Sequence, residues 1–123
     1  MTPFADLPAG LVKGTPGIYR LGRPPADLVR RLRASGWTIG SLERAYSKEA
    51  VLRGIGQALD FPDYYGANLD ALWDCLADLD RPTALVWSGW HDMAVYHADD
   101  WARLRHVLGE RVTQEPPFAV VLV

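Results

Sequence analysis

Phe118-Ala119-Val120-Val121-Leu122-Val123 is a run of six apolar residues, three of them valine. A strand with one wet face alternates polar and apolar side chains, so an unbroken run reads as a strand buried on both faces. Ala84-Leu85-Val86-Trp87 is a second run of the same kind. Between them Trp101, Leu104, Val107 and Leu108 recur at helical spacing behind Asp99-Asp100, which opens a helix. Two all-apolar strands joined through a helix imply a parallel sheet covered on both sides.

Further out, residues 92–96 read as a helical turn after the break at Ser88-Gly89. Residues 69–79 form a helix with Asn68 as its N-cap, and Ser47 caps another that carries Val51, Leu52, Ile55 and Leu59 on one face. Gly54 and Gly56 lie inside that second helix and cost about 1 kcal/mol each relative to Ala, with no local reason for either. Phe61-Pro62 ends it, because the residue before proline is pushed out of the α region. Residues 37–42 are the next strand, 26–34 a helix stopped by Gly36, and 18–21 a short first strand. The fold class is therefore α/β, a parallel sheet of three to four strands with helices packed around it. Residues 1–16, rich in Pro, Gly and Ala, are expected to form a loosely ordered arm, leaving 17–123 as one domain.

A chain of 123 residues, 49% apolar and 23% charged, suits one globular domain with a continuous core. No apolar run approaches the length that spans a bilayer, and residues 1–10 lack the basic and apolar regions of a secretory signal. Cys75 is the only cysteine, which excludes an internal disulfide and makes the cytoplasm the expected compartment. The net charge of -2 conceals an asymmetry. Residues 1–53 hold nine Lys and Arg against four Asp and Glu, and residues 54–123 hold four against eleven. Asp60, Asp63, Asp70, Asp74, Asp78 and Asp80 fall in a stretch with no basic residue, a surface suited to a basic partner and unsuited to nucleic acid.

The helix over 69–79 concentrates that charge. Leu69, Leu72, Trp73 and Leu76 make one apolar stripe, and Asp70, Asp74 and Asp78 make an acidic stripe beside it. Like charges at this spacing destabilise a helix, and Asp74 and Asp78 approach its negative end. Local stability therefore does not explain the stripe, whereas a cation from outside the helix does. Three readings stand at this point: a solvated face, a shared divalent metal, or a protein-binding face on which carboxylates meet Arg or Lys. No His or Glu cluster completes a metal set. Tyr64, Tyr65 and Trp73 beside the carboxylates are the composition of a binding hot spot, and Tyr65 and Trp73 are equally the composition of a core.

The segment Phe61-Pro62-Asp63-Tyr64-Tyr65-Gly66-Ala67-Asn68-Leu69-Asp70-Ala71-Leu72-Trp73-Asp74-Cys75-Leu76 resembles the signature of the barstar family, intracellular inhibitors of barnase-type ribonucleases. The resemblance continues more faintly over residues 37–123. It implies a three-stranded parallel sheet with helices around it; the additional N-terminal β-α unit over 18–34 is expected to add one strand, with a second partner surface as the alternative. It implies no enzymatic activity and no cofactor or metal. The partner it implies is a basic ribonuclease, with no direct contact to nucleic acid or membrane and a monomer when free. Asp74 matches the carboxylate that takes the place of an RNA phosphate, and Asp70 its neighbour. Tyr64, Asn68, Leu69 and Trp73 match the surrounding contact surface, and Glu110 matches a carboxylate on the last long helix. A non-inhibitory adaptor that binds another basic protein through the same face is the alternative. Leu79 stands where the family prototype has an aromatic contact, and Arg81 follows soon after, which leaves the target's identity open.

Other candidates carry less. Cys75 lies among acidic neighbours that raise a thiol pKa, as expected of a structural cysteine. His91, His97 and His106 lack metal-ligand spacing, and Val86-Trp87-Ser88-Gly89 lacks the flanking glycine of a nucleophile elbow. Arg20, Arg23, Arg30, Arg31 and Arg33 have no interleaved aromatics to suggest a nucleic-acid surface.

Overall fold

The computed structural model describes residues 7–123. In chain order the elements are α1 (Ala9–Val12), β1 (Gly17–Arg20), α2 (Leu28–Ala34), β2 (Thr38–Leu42) and α3 (Lys48–Ala58), then α4 (Leu69–Ala77), β3 (Thr83–Trp87), α5 (Trp90–Tyr96), α6 (Ala98–Val112) and β4 (Phe118–Leu122). The four strands form one parallel sheet in the order β1-β4-β3-β2. The α/β fold expected from the two apolar runs is present: every residue of β3 and β4 is buried, and both strands are interior to the sheet. The N-terminal unit adds its strand at the edge, with Gly17 to Arg20 in register with Ala119 to Leu122.

Side-chain alternation along the inner strands divides the core. Leu85, Trp87, Phe118, Val120 and Leu122 point to one face, where α3, α4 and α6 supply Val51, Ile55, Leu72, Leu76, Leu104 and Leu108. Ala84, Val86, Ala119 and Val121 point to the other, where Leu7, Leu11, Leu28, Leu32 and Trp37 cover them. A parallel sheet needs both faces closed. The segment before β2 closes the second one.

Part of the segment expected to form a loosely ordered arm takes part in this closure; residues 1–6 lie outside the described residues. Leu11 is fully buried, and the Trp37 indole N–H donates to its carbonyl at 2.8 Å. The Tyr19 hydroxyl donates to Thr15 O at 2.8 Å. Pro, Gly and Ala dilute the apolar signal there, but Leu7 and Leu11 both lie buried against the sheet.

Candidate functional site on helix α4

The loop that enters α4 is held from behind. Tyr65 donates its hydroxyl to Leu52 O at 2.8 Å and meets the Phe61 ring edge-on, with centroids 5.0 Å apart. Burial pushes its phenol pKa up to about 12, with a smaller contribution from Cys75. Gly56 explains itself here: a Cβ on it would lie 2.6 Å from two Tyr65 ring carbons. Gly54 likewise leaves room for Leu42. Ala67 adopts φ +53, a left-handed conformation that costs a non-glycine residue about 1 kcal/mol, and the chain then enters the helix at Asn68. The Asn68 side chain accepts from Ala71 N–H at 2.8 Å and so caps α4 as its position predicts.

Within α4 the two stripes separate as expected. Leu72 and Leu76 are fully buried, Leu69 and Trp73 half-buried, and Asp70, Asp74 and Asp78 exposed. Among the described residues none of these three carboxylates forms an ion pair. No group of three His, Cys, Asp or Glu gathers to hold a metal among them either. The helix ends at Ala77, two residues earlier than its pattern suggests, with Asp78 as C-cap and Leu79 packed against the core.

Tyr64 is 80% exposed and stands free of the core, unlike Tyr65. The packing of α4 on α6 brings Trp73 beside Val107, His106 and Glu110, which together line a shallow cleft of about 200 Å³. Glu110 is exposed, with the His106 imidazole 3.6 Å from its carboxylate. Larger hollows lie elsewhere. One of about 480 Å³ runs between β2 and α3 past Arg44 and Arg53, and one of about 520 Å³ sits under the ends of α3 and α4. Asp78 belongs to the latter together with Asp80, Arg81 and Cys75. The third carboxylate of the stripe thus lines a hollow that Asp70 and Asp74 do not.

Cys75 is buried, and desolvation followed by the charges of Asp78 and Asp74 raises its thiol pKa, against reactivity. Arg111 is the group that sequence reasoning missed. It is fully buried on α6, with Nε donating to Leu76 O at the end of α4 at 2.7 Å. Leu104, Leu108 and Arg111 are spaced i, i+4, i+7 on one helix face, and that spacing was the available signal.

Residues 40–123 match the family model described as Barstar (barnase inhibitor). The chain belongs to the barstar family. That is a family of ribonuclease inhibitors rather than enzymes, with a ribonuclease as the protein partner. A relative in Bacillus subtilis (strain 168), named "Putative ribonuclease inhibitor YrdF", is 72% identical over 39 residues. That match covers 31% of this chain and 43% of the relative, so less than half of the relative's length is spanned. The barstar match begins inside β2, which leaves α1, β1 and α2 outside it. Among the described residues no helix is long and apolar enough to cross a membrane.

Proposed function

We propose that this protein inhibits a basic ribonuclease by filling its RNA site with the outward face of α4. Asp74 occupies the position of an RNA phosphate, and Asp70 pairs with a neighbouring cation of the enzyme. Tyr64, Asn68, Leu69 and Trp73 frame these carboxylates, and Glu110 adds a third acid from α6. The observation that carries the reading is the pair of exposed carboxylates, without an ion pair among the described residues, on a helix whose opposite side is locked into the core. A ribonuclease site holds phosphate with fixed cations, and a rigid carboxylate meets them without reorganising. The acidic surface also accelerates encounter and makes it salt-sensitive. On this reading residues 17–123 act as one unit, and the protein works as a free monomer in the cytoplasm, where Cys75 stays reduced.

Titrating the purified protein against a panel of basic ribonucleases, barnase among them, tests the reading. Asp74→Ala is expected to weaken inhibition at least about thirtyfold, equivalent to about 2 kcal/mol, and Asp78→Ala only a few-fold. Equal losses from both would replace the site-filling carboxylate with a diffuse acidic patch. Inhibition of no member of the panel at low salt would leave the same face to another basic protein.

A further inference from the structure

Among the described residues Arg111 is the only charged side chain that is fully buried. Its Nε donates to Leu76 O at 2.7 Å and its Nη1 to Gln114 O at 3.1 Å, while Nη2 is buried without an acceptor. The guanidinium carbon lies 5.7 Å from the centre of the Phe118 ring, and no carboxylate pairs with it among the described residues. Burial lowers its pKa, with Glu115 opposing the shift. A leucine or methionine in the same place would fill the space without the cost of desolvating a charge. Core filling therefore does not account for an arginine here.

The acceptor does. Leu76 O belongs to the last turn of α4, where the helix dipole is negative and the usual i+4 amide is missing; it accepts the Leu79 N–H at 3.2 Å and keeps a lone pair for the guanidinium. Among the described residues no other hydrogen bond or ion pair joins α4 to α6; the buried Leu72, Leu76, Leu104 and Leu108 between them are apolar, and apolar contacts carry no direction. The guanidinium fork does. We propose that Arg111 is a positioning residue: it fixes the register of α4 against α6, and thereby the placement of Trp73 and Asp74 relative to Glu110. This rests on the reading of α4 as the ribonuclease-binding face.

Arg111→Met and Arg111→Lys in the full chain test it, with two readouts. Before any ribonuclease is added, hydrogen exchange at the Asp78 and Leu79 amides, which bond to Cys75 O and Leu76 O, is expected to quicken about tenfold in Arg111→Met, with core strand amides unchanged. Inhibition of barnase is expected to weaken on the order of tenfold in the same variant. Arg111→Lys keeps the charge but not the fork, so it shows the same changes in part. Exchange that rises uniformly across the sheet would mean a general stability role and overturn the proposal. So would unaltered exchange at the end of α4, or altered exchange with unaltered inhibition. Should Arg111→Met not fold, Arg111→Lys decides by the same criteria. A wild-type protein that inhibits no ribonuclease defeats the functional reading, and the exchange data still decide whether Arg111 holds α4.

Discussion

Gly56→Ala places a methyl group where the Tyr65 ring lies. The new Cβ would stand 2.6 Å from the Cδ2 and Cε2 atoms of that ring, about 1 Å inside ordinary carbon contact. The ring cannot yield freely, because Phe61 bears on it edge-on and its hydroxyl is bonded to Leu52 O. Overpacking of this kind costs about 1–3 kcal/mol, and losing the tyrosine hydrogen bond adds about 1 kcal/mol. Alanine's better helix propensity returns about 1 kcal/mol. The net expectation is a loss of about 1–3 kcal/mol, or a drop in Tm of about 4–12 °C for a chain of this size. Urea titration and thermal melts read it. Gly109→Ala is the control: its Cβ would meet only Ile18 Cδ1 at 4.0 Å, so the propensity gain stands alone and Tm rises by a few degrees. A Gly56→Ala protein as stable as wild type would refute the claim that this glycine exists to seat Tyr65. The same variant is expected to inhibit ribonuclease less well, since Tyr65 anchors the loop that presents Tyr64 and Asn68.

Leu11→Ala is expected to cost about 2–5 kcal/mol, as for a fully buried core leucine; a loss below 0.5 kcal/mol, the usual range for exposed sites, would return residues 7–16 to a loose arm. Alkaline denaturation should report on Tyr65. Its folded pKa is about 12 against an ordinary value of 10.0, so the unfolded chain ionises first. Its contribution is intact below pH 10, and stability falls between pH 10 and 12 by roughly 1–3 kcal/mol in all. Tyr65→Phe should flatten that slope without abolishing it, because burial raises the Tyr19 and Cys75 pKa values as well. An unchanged slope in Tyr65→Phe would place the titrating group elsewhere.

Much of this architecture is legible in the sequence because particular residues have one job. The short, apolar runs at 84–87 and 118–122 suit strands buried on both faces, and Ser47 and Asn68 each cap a helix with the expected hydrogen bond. Other features depend on partners distant in the chain. Gly56 has a reason only once Tyr65 is beside it, and Trp37 reaches Leu11 across 26 positions. Strand order is of the same kind, since parallel neighbours are chosen by packing and not by local pattern. The acidic stripe calls for a cation from outside the helix. Arg111 brings a cation to the helix end, but it bonds to a carbonyl and pairs with none of the three carboxylates.

The sheet order has a consequence for how the protein is made. β4 is last in chain order and yet lies between β1 and β3, so two of the three strand pairings wait for it. When α4 leaves the ribosome, the sheet that will hold it contains at most β1 and β2, which do not touch. Even after β3 follows, β1 has no partner. Loop closure over such separations is entropically costly and slow. The carboxylates of α4 are thus translated early and mounted late. An emerging chain cannot present a finished α4 face, and a product cut short before residue 118 carries the acidic segment without the sheet that holds it.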